Sequence, residues 1–240
     1  MSNPVLTIRK DERTAGGSLS VRHVDILAGV LSEQGYVLLP SDTAYSLAAQ
    51  ASHSELQQRL NKILNRPDWP VSLAFPSARI VREWMVPNLV VDHLMEQFCP
   101  GPVTIVCQAR SPVPARFFDG TIASQNRTIG VRIPDSIVER EVASCGNFPI
   151  TTAAVREGRD GPAVCEFERA LSIVSAGMES MPGVPWCAIE GGEIKYPAHS
   201  TVVEVSRSGG LREIRPGAIP FEDLEASVAV LPRSAFGDRG

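Results

Sequence analysis

The chain has 240 residues, of which 43% are hydrophobic and 21% are charged, and its formal net charge at pH 7 is −4. This size and composition support a sizeable hydrophobic core in one globular domain, and the acidic balance excludes a protein coated in positive charge for indiscriminate nucleic-acid binding. A local basic cleft is still allowed. The five cysteines are widely spaced and contain no Cys-x-x-Cys pair, which indicates neither a disulfide framework nor a zinc site.

The N-terminal sequence MSNPVLTIRKDERTAGG contains no apolar run long enough for a signal peptide. No window of the chain approaches the ~18 apolar residues of a membrane span. We therefore expect a cytoplasmic protein that does not enter a membrane. Patterned helices and strands fill residues 17–220, which we predict to be the folded domain, with residues 1–16 and 221–240 as terminal extensions.

The apolar spacing along the chain predicts alternating helices and strands. The segment SLSVRHVDILAGVLSEQG has helical periodicity and ends at Gly35, a strand follows at residues 36–39, and SHSELQQRLNKILNRP forms a second helix ended by Pro67. Further helices are predicted in SARIVREWM, NLVVDHLMEQF and DSIVEREVASC. Strands are predicted in VSLAF, VTIVCQ, TIGVRI, PITTAAV, WCAIE, STVVEV and LREIRPGAI. This order predicts an α/β fold with a mixed sheet.

Polar or proline-containing breaks follow several strands, and the strand ends of α/β sheets are where ligands usually bind. The stretch GYVLLPSDTAYSLAAQ breaks at Pro-Ser-Asp-Thr, where Ser41 and Thr43 offer hydroxyl groups, although ordinary turn chemistry explains the same residues. Lys62 and Arg66 lie four residues apart before a proline. Two cations one turn apart suit a polyphosphate, but they equally suit a solvated helix C-terminus.

Other breaks supply further cations and hydroxyl groups. Arg132 lies among β-branched residues in TIGVRIP, so it needs an anionic partner, which is either a protein carboxylate or a ligand. Ser200 begins the strand STVVEV, and Arg215 precedes Pro-Gly at the end of LREIR. Each break alone is compatible with a purely structural role.

Taken in order, these pieces resemble the YrdC-like family of threonylcarbamoyl-AMP synthases over residues 20–220. Members of that family carry Pro-Thr-(Asp/Glu)-Thr-x-Tyr-Gly-Leu, Lys-x-Arg-Pro, Pro-Gly-Pro-x-Thr, Val-Arg-x-Pro, Ser-Ala-Asn and Ser-Thr-Val. This chain has P-S-D-T-A-Y-S-L, N-R-P-x-x-P-V, P-G-P-V-T, V-R-I-P, P-I-T-T-A, S-T-V-V and R-P-G-A-I. The resemblance implies a single YrdC-like domain, in which a twisted mixed β-sheet is flanked by helices and forms a wide, positively lined concave cleft.

The resemblance also implies a reaction. ATP, L-threonine and bicarbonate would give threonylcarbamoyl-AMP and pyrophosphate, a nucleotidyl transfer that supplies the carbamoyl group for tRNA N6-threonylcarbamoyladenosine modification. Mg²⁺ would accompany ATP, held mainly by its phosphates and not by a protein metal site. RNA or tRNA-modification proteins are the further partners that this reading adds.

The family pattern assigns roles to individual residues. Arg66 would be a catalytic cation, with Lys62 replacing a family lysine that is Leu64 in this chain. The implied substrate-binding residues are Ser41, Thr43, Thr151, Thr152 and Ser200. The implied nucleotide-binding residues are Arg66, Arg132, Ala153, Val155, Ser200 and Arg215.

Departures from the family pattern keep a second interpretation open. Ser46 replaces the glycine of Tyr-Gly-Leu, and the segment aligned with Ser-Ala-Asn reads Ala153-Ala154-Val155. These changes, together with the missing lysine, fit a non-catalytic paralogue that binds a nucleotide or double-stranded RNA through the same cleft.

Two other classes of site are disfavoured. A hydrolase built on Ser200 and His199 lacks a Gly-x-Ser-x-Gly elbow, and adjacent residues of a strand point to opposite faces. A metal site made from the four histidines and five cysteines has no supporting ligand spacing.

Overall fold

The computed structural model describes residues 6–51, 54–66, 72–110, 127–146, 148–159, 161–192 and 194–232. The strands are β1 (Leu6–Ile8), β2 (Tyr36–Pro40), β3 (Tyr45–Gln50), β4 (Ser72–Ala74), β5 (Val103–Gln108), β6 (Thr128–Arg132), β7 (Ile150–Ala154), β8 (Trp186–Ile189), β9 (Thr201–Val205) and β10 (Leu211–Arg215). The helices are α1 (Val21–Ser32), α2 (Ser54–Ile63), α3 (Ala78–Trp84), α4 (Leu89–Phe98), α5 (Ile137–Ser144), α6 (Phe167–Met178) and α7 (Phe221–Ala229). A short 3₁₀ helix, Lys10–Glu12, follows β1.

All of these strands belong to one sheet, in the order β1-β8-β2-β3-β7-β4-β6-β5-β9-β10. The pairs β1–β8, β2–β8, β4–β6 and β5–β9 are parallel. The pairs β2–β3, β3–β7, β4–β7, β5–β6 and β9–β10 are antiparallel. The predicted α/β fold with a mixed sheet is therefore confirmed.

Helices cover both faces of the sheet. Alternate residues of β2 enter two different clusters: Tyr36 and Leu38 pack with α2 and α6, whereas Val37 and Leu39 pack with α1 and α5. Burial on both faces explains why this strand is apolar throughout. A third cluster packs α3, α4 and α7 against the half of the sheet that contains β5 and β9.

Helix α1 shows how local sequence sets an element's ends. The hydroxyl group of Ser20 caps it by accepting a hydrogen bond from the N–H of His23 at 3.3 Å. At the other end, Gln34 has a φ of 59°, so the left-handed position precedes the expected helix-ending glycine, Gly35, by one residue. Gly35 is needed for a different reason, because a Cβ there would lie 2.4 Å from the carbonyl oxygen of Pro185.

Ordered structure continues past both predicted boundaries at residues 17 and 220. Strand β1 pairs with β8, and α7 buries Leu224 and Val228 next to α4. These two segments are therefore parts of the sheet and of the core. In the portion of the chain that the structure covers, none of the helices combines the length and apolar character that crossing a bilayer requires.

Candidate functional site

The Pro-Ser-Asp-Thr break is the turn of a β-hairpin. Pro40 at the end of β2 pairs with Tyr45 at the start of β3, and the N–H of Ser41 donates to the carbonyl oxygen of Ala44 at 2.9 Å. The turn interpretation is therefore correct. The same turn carries Thr43 to the wall of a pocket, so the two interpretations of this break are compatible.

Asp42 in this turn is the anionic partner of Arg132. The Asp42 side chain is fully buried, and its carboxylate accepts hydrogen bonds from the Arg132 guanidinium, the Ser41 hydroxyl at 3.0 Å and the N–H of Asp135 at 2.9 Å. Arg132 also donates to the hydroxyl oxygen of Thr43 at 3.4 Å. A protein carboxylate thus satisfies the buried cation and orients it beside the turn.

Arg66 reaches the pocket because α2 ends abruptly before it. Asn65 has a φ of 47°, its N–H donates to the carbonyl oxygen of Lys62, and the N–H of Arg66 donates to that of Asn61. This pair of hydrogen bonds is the Schellman pattern, which reverses the chain direction. Arg66 therefore leaves the helix, whereas the side chain of Lys62 remains exposed on α2. The expected pairing of the two cations on one helical face is wrong.

Arg215 and Ser200 form a polar wall. Arg215 donates to the carbonyl oxygen of Ser200 at 2.8 Å and to its hydroxyl oxygen at 3.1 Å. The Ser200 hydroxyl lies 3.3 Å from that of Thr104, which lies 3.4 Å from that of Ser72. This chain of hydroxyl groups joins β4 and β5 to the residue before β9, and Arg215 links it to β10.

These segments converge on one pocket. Its lining contains four guanidinium groups and one imidazole, and no acidic side chain among the described residues. The lining residues are Thr43, Ala44, Ser46, Arg66, Ser72, Arg132, Thr152, Ala153, Ala154, Arg156, His199, Ser200 and Arg215.

The cations of the pocket lie within one another's electric field. Burial, together with the charges of Arg156 and Arg215, lowers the pKa of Arg66 to about 10. Burial and the charge of Arg156, followed by that of Arg132, also lower the pKa of Arg215. Guanidinium groups nevertheless stay protonated at neutral pH, so the pocket is strongly positive. Burial and the charges of Arg156 and Arg215 lower the pKa of His199, which keeps its ring neutral at pH 7.

A second buried carboxyl group, Glu139 on α5, lies beside the Arg132–Asp42 pair. It is completely buried, and burial raises its pKa to about 7. Arg132 opposes this rise, Asp42 adds to it, and the nearby hydroxyl groups of Ser41 and Thr152 oppose it. Neither carboxylate oxygen has a well-formed hydrogen bond to a described residue.

The alternation of β7 corrects the predicted position of the altered family segment. Thr152 and Ala154 face the pocket, whereas Val155 is fully buried in the core and Ala153 packs into the same core while bordering the pocket. Thr151 is also turned away and donates to a backbone carbonyl of β3 at 3.3 Å. The residues of this segment that face the pocket are therefore Thr152, which offers a hydroxyl group, and Ala154, which offers a methyl group.

The structure thus brings together seven of the eleven predicted site residues, while their roles stay predictions. Those at the pocket are Thr43, Arg66, Arg132, Thr152, Ala153, Ser200 and Arg215. Those outside its lining are Ser41, Lys62, Thr151 and Val155. Ser41 acts on the site indirectly, through its hydrogen bond to Asp42.

Arg156 and His199 are the main residues that sequence reasoning missed as parts of the site. Arg156 was hidden in the glycine-containing loop REGRDGP, but continuing the period-two pattern from Thr152 and Ala154 would have placed it on the pocket face. The sequence alone suggests for His199 only a hydrolase role with Ser200, which is disfavoured. The structure instead places the His199 ring against the Arg156 guanidinium, with Nε2 at 3.0 Å.

A sequence model of the Sua5/YciO/YrdC family, described as "Telomere recombination", matches residues 29–217. The chain belongs to this family. This confirms the resemblance that the ordered motifs indicated.

Relatives in the family share about a quarter of their residues with this chain. The threonylcarbamoyl-AMP synthase of Pyrococcus abyssi is 25% identical over 207 residues, which cover 84% of this chain and 56% of that protein. A putative threonylcarbamoyl-AMP synthase of Methanocaldococcus jannaschii is 24% identical over 190 residues, covering 78% and 82%. The human threonylcarbamoyl-AMP synthase is 27% identical over 202 residues, covering 81% and 66%. The chain thus spans between about half and four fifths of these proteins.

Solved structures of the family share the fold. The crystal structure of P. abyssi Sua5 complexed with L-threonine has a TM-score of 0.72 and 23% identity, and the match covers 94% of this chain and 61% of that one. Escherichia coli YciO has a TM-score of 0.72 and 17% identity, covering 93% and 100%. The YrdC-like domain fold is therefore confirmed.

Proposed function

We propose that this protein forms threonylcarbamoyl-AMP and pyrophosphate from ATP, L-threonine and bicarbonate, and thereby serves tRNA N6-threonylcarbamoyladenosine modification in the cytoplasm. The observation that carries the proposal is the convergence of Arg66, Arg132 and Arg215 at one pocket. They come from three distant segments of the chain. The names of the relatives and the Sua5 structure with L-threonine support the choice of substrates.

The proposed chemistry needs cations more than a covalent nucleophile. A carbamate oxygen of N-carboxylated threonine attacks the α-phosphorus of ATP. One P–O bond forms, the P–O bond to the β-phosphate breaks, and pyrophosphate leaves with the bonding electrons. Negative charge accumulates on the phosphoryl oxygens, so positioned guanidinium groups stabilise the transition state.

The pocket divides these tasks between its residues. Arg66 and Arg215 would face the phosphates, while Arg132 is held in one orientation by Asp42. The hydroxyl groups of Thr43 and Thr152 would contact the polar groups of threonine. A charge-assisted hydrogen bond from guanidinium to phosphate is about twice as strong as a neutral one, which favours this assignment.

Mg²⁺ would enter with ATP. Among the described residues, no group of three or more His, Cys, Asp or Glu side chains is placed to hold a metal ion. Mg²⁺ commonly binds through substrate phosphates and water with few protein ligands. We therefore assign the ion to the nucleotide as a part of the substrate.

A second candidate function is non-catalytic binding of a nucleotide or double-stranded RNA. Two positions favour it: Leu64, where the family has a lysine, packs into the core, and Ala154 offers a methyl group where the family has an amide. Such a binder would hold an anionic ligand in the same pocket and release no pyrophosphate.

The decisive experiment follows pyrophosphate release and adenylate formation from ATP, labelled bicarbonate and each of several amino acids. We expect activity with L-threonine, and we expect Arg66→Ala to reduce the rate about 10²–10³-fold, the scale of one transition-state donor. Arg22→Ala, at an exposed arginine of α1, is the matched control and should retain the wild-type rate.

Two results would contradict the synthase proposal. One is the absence of pyrophosphate release with every amino acid, and the other is an Arg66→Ala variant as active as the wild type. Titration with double-stranded RNA at several salt concentrations tests the second candidate. Binding that falls steeply with salt, in a protein without synthase activity, would favour it.

A further inference from the structure

Arg156 sits on a well-supported piece of backbone directly after β7. The N–H of Val164 donates to the carbonyl oxygen of Val155 at 2.9 Å, and Arg156 forms a β-bridge with Ala163. The Arg156 side chain also donates to the carbonyl oxygen of Gly161 at 3.1 Å. These contacts hold Val155 and Arg156 as a short extension of β7.

His199 fixes the other end of this side chain. One terminal nitrogen of Arg156 lies 3.0 Å from Nε2 of His199, and both residues line the pocket. Burial, together with the charges of Arg156 and Arg215, lowers the pKa of His199, so its neutral ring can accept a hydrogen bond from the guanidinium. The imidazole therefore acts as a positioning group for Arg156.

The pocket suits a small, highly charged group. Its four guanidinium groups and one imidazole surround a narrow space of about 80 Å³. Arg156 lies close enough to Arg66 and Arg215 to lower the pKa of both. So much positive charge in a small volume favours phosphate groups over a nucleoside.

The sequence context of Arg156 points the same way. It lies two residues after Ala154 on the same face, so the alternation that carries Thr152 and Ala154 to the pocket carries Arg156 there as well. The side chain of Leu64, by contrast, packs into the core and adds no charge to the pocket.

We propose that Arg156, positioned by His199, forms a polyphosphate subsite with Arg66 and Arg215 and contacts the phosphate oxygens of a nucleoside triphosphate. The nature of the nucleotide rests on the proposed function. Recognition of the polyphosphate does not rest on it, because phosphate binding requires no adenylate to form.

The test measures binding of inorganic tripolyphosphate and of adenosine by calorimetry, with the full chain and its Arg156→Gln and Arg156→Lys variants. For Arg156→Gln we expect tripolyphosphate affinity to fall about tenfold or more, the effect of losing one charge-assisted contact. Arg156→Lys retains the charge but cannot make bidentate hydrogen bonds, so its tripolyphosphate affinity should lie between those of the wild type and Arg156→Gln. Adenosine affinity should not change. Arg22→Gln is the control, and circular dichroism confirms that each variant is folded.

Equal tripolyphosphate affinity in the wild type and both Arg156 variants would overturn the subsite, as would a wild type that does not bind tripolyphosphate. If Arg156→Gln fails to fold, the comparison of Arg156→Lys with the wild type decides. The synthase assay is read separately. Adenylate formation with no dependence of binding on Arg156 would refute the subsite alone, and Arg156-dependent binding without adenylate would refute the synthase alone.

Discussion

The buried carboxyl group of Glu139 should make the stability of the protein fall as pH rises. In the unfolded chain its pKa has the ordinary value of 4.5, whereas burial raises it to about 7 in the folded protein. Below pH 4.5 the group is protonated in both states. Between pH 4.5 and 7 the unfolded chain ionises first, so the free energy of unfolding decreases with pH, and above pH 7 the loss is complete.

The size of this loss follows from the two pKa values. Each pKa unit corresponds to about 1.36 kcal/mol, so a rise from 4.5 to about 7 amounts to about 3 kcal/mol. Glutamine has nearly the same shape and cannot ionise. The Glu139→Gln variant should therefore gain about 3 kcal/mol relative to the wild type when the pH is raised from 4.5 to 8.

Urea unfolding followed by tryptophan fluorescence measures this change at each pH. The comparison uses the difference between variant and wild type, which cancels any pH-independent effect of the amide. Glu179→Gln, at the exposed end of α6, is the control and should track the wild type. If the difference for Glu139→Gln stays constant from pH 4.5 to 8, the reasoning from burial is refuted.

Two further predictions test the register of β7 and the packing of the pocket backbone. Ala154→Asn should tighten ATP binding about tenfold by adding a polar contact, as measured by calorimetry. Val155→Asn should destabilise the fold by about 2–4 kcal/mol by burying an amide in the core, as measured by urea unfolding. The opposite pattern would contradict this register of β7. Gly217→Ala should destabilise by roughly 1–3 kcal/mol, because its Cβ would lie 2.4 Å from the carbonyl oxygen of His199. Gly29→Ala, in open space on α1, should instead stabilise by up to about 1 kcal/mol, and thermal unfolding that ranks the two the other way would contradict this argument.

Much of the fold could be predicted because apolar periodicity reports burial directly. The apolar spacing of α2, for example, puts Leu56, Leu60 and Ile63 on one stripe of the helix, and all three are buried. Helix α6 was missed although Phe167 and Val174 have helical spacing, because alanine, serine and glycine dilute the pattern between them. Strand β1 has only three residues and exists through its pairing with β8, which no local signal reveals.

The site was predicted as far as ordered motifs could reach. Arg132 was identified as a buried cation in need of an anion, but its partner, Asp42, is distant in sequence and could be found only from the fold. The sequence predicts Val155 as a nucleotide-binding residue, but Val155 faces the core and its neighbour Ala154 faces the pocket. In a strand, a shift of one residue exchanges the two faces, so sequence order alone does not tell which of the two neighbours reaches the site.

Folding brings the guanidinium groups of Arg66, Arg156 and Arg215 into one another's field, whereas Asp42 offsets the charge of Arg132. The repulsion between the three groups opposes the folded state whenever no anion balances it. A multivalent anion that binds only the folded chain would therefore act as a thermal stabiliser. At a concentration 100 times its Kd it would add about 2.7 kcal/mol to the free energy of unfolding. Melting temperature, compared at equal ionic strength, then becomes a reporter of pocket occupancy, so anions can be ranked as ligands without any assay of turnover.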